Sequence, residues 1–140
     1  MKRLLVAALA VLLLSSPVFA QSAADMNKSF DQLFGAHKPY AEFFAKLQAA
    51  IAAGDKATVA GLVDYPFQAR IGDKAIKVRD AAHFIADYDR VITAKVKAAV
   101  AKQTYATLFA NWQGVMIGDG EIWFSGIGDG KQVKIIAIND

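Results

Sequence analysis

The spacing of apolar positions changes along this chain, and each change predicts an element. An unbroken apolar run from Leu4 to Leu14 comes first, preceded by Lys2 and Arg3 and broken by Ser15, Ser16 and Pro17. The run is shorter than the roughly 20 residues that a bilayer-spanning helix needs. Val18-Phe19-Ala20 follows, with small side chains at the −3 and −1 positions of a cleavage site. A charged start, an apolar middle and a small-residue end form the pattern of a secretory signal peptide. Cleavage after Ala20 is expected, so that the mature chain begins at Gln21 and is periplasmic or secreted. With no cysteine in the sequence, a lipid anchor at this site is excluded.

Gln21 to Asn27 is short and polar and reads as a loose leader, and Ser29 to Phe34 suits a single helical turn before Gly35. Pro39 fits the first turn of a helix. Tyr40, Phe43, Phe44, Leu47, Ala50 and Ile51 then make one apolar stripe at helical spacing, with Gly54 as its C-cap. Asp55 caps a shorter helix carrying Val59, Leu62 and Val63. Pro66 stops it. Phe67, Ala69 and Ile71 alternate with Gln68 and Arg70, the period of a half-buried strand. Gly72-Asp73-Lys74 turns the chain into a partner strand with Ile76 and Val78. Asp80 caps a third helix carrying Ala81, Phe84, Ile85 and Tyr88, with Phe84, Ile85 and Tyr88 expected on its buried side. Thr93 opens a fourth with Val96, Ala99 and Val100. Tyr105 to Phe109 suits either a helix end or a strand start. Runs at Gln113–Ile117, Glu121–Gly126 and Val133–Ile138, separated by Gly118-Asp119-Gly120 and Asp129-Gly130, predict a three-stranded meander.

Helices and strands are segregated, so the class is α+β with a mostly antiparallel sheet. The expected organisation is a signal peptide at 1–20, a partly flexible leader at 21–38 and one domain at 39–140. Removing Lys2 and Arg3 takes the formal charge from +3 to +1. A nearly balanced surface gives no basis for nucleic-acid binding, which needs a clustered basic face. The lack of cysteine also excludes thiol chemistry and disulfides, and suits the envelope of a bacterium better than a eukaryotic exterior. His37 and His83 are the only histidines, too few for a multi-histidine metal site in one chain.

The order of elements resembles the nuclear transport factor 2-like superfamily, which includes ketosteroid isomerase and shares its cone-like architecture with cystatin-like folds. Three segments carry the resemblance: the helical hairpin around Gly54-Asp55 leading to Tyr65-Pro66-Phe67, the helix from Ala82-His83-Phe84 to Tyr88-Asp89, and the hairpin from Asn111-Trp112 to Ile122-Trp123. It implies N-terminal helices packed in the concavity of a curved sheet. The superfamily holds isomerases, cyclases, immunity proteins and binding modules, so the fold does not select a function.

Candidate chemistry is sparse. His83 and Asp87, at i and i+4, suit a carboxylate-oriented general base, but the periodicity favours a surface pair. Asp64, beside Tyr65 and Arg70, sits where the resemblance implies a pocket carboxylate, and no second acidic residue matches the isomerase pattern. Asp64 and His83 are therefore the weak catalytic candidates. Trp112, Trp123, Tyr65 and Tyr88 are the ligand-binding candidates if the cone is hollow, and core residues if it is filled. Gly126 to Lys131 looks like a phosphate loop but leads into a strand rather than a helix. Asp119 and Glu121 offer too few oxygens for a calcium loop. No cofactor or metal is expected. The leading reading is an exported, non-catalytic binding domain for a protein partner or a small apolar ligand, with a homodimer as one form. An isomerase- or cyclase-like enzyme and an immunity or inhibitor protein are the alternatives.

Overall fold

A computed structural model describes residues 20–140. The apolar run from Leu4 and most of the expected cleavage segment lie outside the described residues. The fold is α+β, with a six-stranded, open, mixed sheet. No described helix is long and apolar enough to cross a membrane.

The first helix, α1 (Ala23–Phe34), is longer than the single turn expected at Ser29–Phe34. Ser22 and Asp25 form a capping box, each side chain bonding the other's backbone N–H. Met26 and Phe30 are fully buried. The Phe30 ring meets Tyr40 at 5.6 Å and Tyr105 at 5.6 Å, so α1 is part of the core. In α2 (Lys38–Ala53), Tyr40, Phe43, Phe44, Leu47, Ala50 and Ile51 are all buried, as the stripe predicts. Gly54 ends it in the left-handed conformation at φ 65°. Asp55 caps α3 (Lys56–Gly61) by accepting from Thr58 N–H.

Strands β1 (Phe67–Ile71) and β2 (Lys74–Val78) form the expected hairpin. Next come α4 (Ala81–Ala86), capped by Asp80, and the single turn α5 (Tyr88–Val91). The expected third helix is thus broken at Asp87, and Ile85 is 38% exposed rather than buried. Thr93 caps α6 (Ala94–Lys102), which buries Val96 and Val100. A short 3-10 turn, Tyr105–Thr107, leads into β3 (Phe109–Asn111), β4 (Gly114–Ile117), β5 (Ile122–Ile127) and β6 (Gln132–Asn139). The meander therefore has four strands, with β3 added to the three expected.

The strand order is β2-β1-β6-β5-β4-β3. Its one parallel pairing joins β1 to β6 through Ala69 with Ile138 and Arg70 with Asn139. Side chains alternate between the faces. Val115, Ile117, Ile122, Phe124, Ile135 and Ile138 point inward and are buried. Phe124 meets Phe43 of α2 at 4.9 Å, so the space between helices and sheet is filled by interlocking rings. A bulge between Trp123 and Phe124 leaves Ile136 as the extra residue of β6, 39% exposed.

Candidate functional site

The sequence-predicted residues fall in separate places. Tyr65 and Tyr88 meet the same ring, Phe84, edge-on at 6.5 and 6.0 Å. The Tyr65 hydroxyl donates to Ala60 O at 2.7 Å. Burial first, and the nearby Asp80 charge second, push its pKa up to about 12. Tyr88 is fully buried, and its hydroxyl has no hydrogen-bond partner among the described residues. Both are packing residues around Phe84. Asp64 is exposed between α3 and β1, where its N–H donates to Ile135 O.

His83 is occupied by local structure. Its Nδ1 accepts from Arg79 N–H at 3.2 Å, and its Nε2 lies 3.2 Å from Asp87 Oδ2. Asp87 also takes Arg90 Nη1 at 3.2 Å. His83 Nδ1 is thus taken by the backbone, and Nε2 lies against the Asp87 carboxylate.

The tryptophans lie toward opposite ends of β4. Trp112, in the β3–β4 turn, is 81% exposed. Trp123 is half-buried on the outer face of the sheet, the face away from the helices. Cross-strand pairing sets Phe109 beside Met116, Met116 beside Trp123 and Trp123 beside Ala137. Side chains opposite one another on a sheet face are neighbours, so these residues form one row. Phe109, 51% exposed, meets the Trp123 ring edge-on at 6.4 Å.

This row runs into a surface depression that composition and spacing do not reveal. Two adjoining clefts, of about 440 and 390 Å³, share Lys95, Asp119 and Glu121. One reaches Lys102, Gln103 and Thr107. The other reaches Met116, Trp123, Asn139 and Asp140. Gln103 ties α6 to the β4–β5 turn, its Oε1 accepting Gly118 N–H at 2.8 Å. Gln48 of α2 supports it by donating to Val100 O and Gln103 O, both at 2.9 Å. Glu121 is 8% exposed, the one buried charged residue among those described. Its Oε2 accepts Asp119 N–H at 2.6 Å. The turn requires glycine at Gly118, where φ is +63° and a Cβ would collide with the Glu121 carboxylate. The Thr93 hydroxyl holds Asp140 below the usual carboxylate value, against partial desolvation, and Lys95 adds to the effect. Lys95 Nζ lies 3.4 Å from Asp140 Oδ1. Among the described residues, no group of three or more potential metal ligands converges.

Comparison with known proteins yields no matching family model, curated protein or solved structure.

Proposed function

We propose that this chain is an exported, non-catalytic binding domain of the bacterial envelope that takes its ligand on the outer face of β3–β6. One observation carries the reading. The interior, where a nuclear transport factor 2-like domain would hold a ligand, is filled by Phe43, Phe44, Phe124 and their neighbours. The sheet's outer face meanwhile leaves Phe109 51% exposed, in one row with the half-buried Met116 and Trp123. Large apolar side chains grouped on a surface mark an interaction site more often than chance exposure does. The superfamily resemblance is supported by the helical hairpin ahead of an antiparallel meander. Export is supported by the Lys2-Arg3 start, the apolar run and the small residues before Gln21.

The enzyme alternative draws little support from the geometry, since Asp64 faces solvent and both His83 nitrogens are engaged. The test is retention of an envelope component by the immobilised protein. Phe109→Ser, with an unchanged circular dichroism spectrum, is expected to lose that component. Equal retention by the variant would remove the outer face as the binding surface.

A further inference from the structure

We propose that the cleft bounded by the β4–β5 turn, the end of β6 and α6 binds a pyranose ring of an uncharged saccharide. The proposal rests on the binding reading above and names its ligand class.

Glu121 supplies the first reason. A buried carboxylate normally has its oxygens satisfied. Here Oε2 takes Asp119 N–H, while no described donor reaches Oε1. The residue lines both clefts, and its Oε1 is not shut off from solvent, so it can accept from a hydroxyl placed there. The second reason is Trp123. Its ring is held edge-on by Phe109, and its Nε1 donates to no described acceptor. Gly120, at φ +114°, lies against the indole, where a Cβ would make ordinary contacts of 3.6 Å with Nε1 and 3.9 Å with Met116 Sδ. An aromatic ring next to a hydrogen-bonding carboxylate demands a ligand with a flat apolar face and polar groups at its edge.

The rim narrows the class further. Lys95 donates, Asp119 and Asp140 accept, and Asn139 keeps its side-chain oxygen free after donating from Nδ2 to Gly120 O at 2.8 Å. The cleft thus mixes donors and acceptors. Its lysines, Lys95 and Lys102, are offset by Asp119, Glu121 and Asp140, so no excess positive charge favours phosphate. A sugar hydroxyl both donates and accepts, and a pyranose carries several around one C–H face. Each cleft falls in the range of about 300–1,000 Å³ common for small-molecule sites.

The experiment titrates the purified protein with chitotriose and with cellotriose, following tryptophan fluorescence. Saturable binding of at least one trisaccharide is expected. Trp123→Ala and Glu121→Gln, each folded by circular dichroism, should weaken it about tenfold or more, as expected for loss of a well-placed contact. Trp112→Ala, at the other end of β4, should leave the affinity unchanged. Inorganic phosphate should not compete. Absence of saturable change with both sugars up to about 10 mM overturns the saccharide assignment. Equal affinity in Trp123→Ala, or competition by phosphate, overturns the site or its charge argument. If neither sugar binds but Phe109→Ser still releases the envelope component, the outer-face reading stands and only the ligand class falls. If both results are negative, both fall.

Discussion

Tyr88→Phe is expected to stabilise the protein. The Tyr88 ring is fully buried, edge-on to Phe84 at 6.0 Å and under Lys56 Nζ at 5.3 Å. Its hydroxyl is enclosed and has no partner among the described residues. An unsatisfied buried polar group costs about 1–3 kcal/mol. Phenylalanine removes that cost and keeps both ring contacts. The small void left by the oxygen subtracts a few tenths of a kcal/mol. A net gain of about 1–2 kcal/mol follows, which raises the urea midpoint by about 0.5–1 M for an m-value of about 2 kcal/mol/M. The m-value itself should not change, because the same surface is exposed on unfolding. Equilibrium urea unfolding followed by far-ultraviolet circular dichroism measures both. A loss of about 1 kcal/mol or more would show that the hydroxyl has a partner and refute this account of the α4–α5 corner.

Phe44→Ala should cost about 3–5 kcal/mol in urea unfolding, since Phe44 is buried in the middle of the α2 stripe. Gly118→Ala should cost at least about 1–2 kcal/mol from the left-handed backbone alone, and should also displace the Glu121 carboxylate. At high pH the sign is set by Tyr65. Its folded-state pKa is raised to about 12 from the ordinary 10.0, so its contribution is complete below pH 10 and is lost as pH rises toward 12. Tyrosinate absorbance of the native protein should therefore stay low at pH 10 and rise with unfolding. At low pH, Asp25 and Asp55 are held below the usual 3.8 by hydrogen bonds from Ser22 and Thr58. Their stabilisation is present above that value and is lost as pH falls through the lowered ones, which thermal unfolding between neutral and acidic pH measures.

How far the fold was legible depended on the range of the interactions. The α2 stripe was complete in the sequence, because one uninterrupted helix turns regular spacing into one face. The same reasoning misplaced Ile85, because α4 ends at Ala86 and the spacing to Tyr88 spans a break. The start of α1 resembles a loose leader in sequence because its first residues are polar, although Ser22 with Asp25 carries a capping signal and Met26 with Phe30 an i, i+4 pair. β3 has three residues, too few for a period. Of the site, Trp123 was visible as a hairpin aromatic. Glu121 was not, since a charged residue in a glycine turn reads as solvent-exposed. Its burial arises only when Gln103 and α6, distant in sequence, close over the turn. The separation of Tyr65 and Tyr88 from Trp123 depends on long-range packing: Tyr65, ahead of β1, and Tyr88, on α5, close around Phe84, whereas Trp123 takes the outer face of β5.

The central claim is that apolar binding surface lies outside the sheet and not within the domain. An amide and indole chemical-shift map of the labelled protein, titrated with phenol as a ring-shaped probe, tests it most directly. The account predicts shifts confined to Phe109, Met116, Trp123 and the Gly118–Glu121 turn. Shifts centred on Phe43, Phe44, Tyr65, Tyr88 and Phe124 would reveal an accessible interior pocket and contradict it.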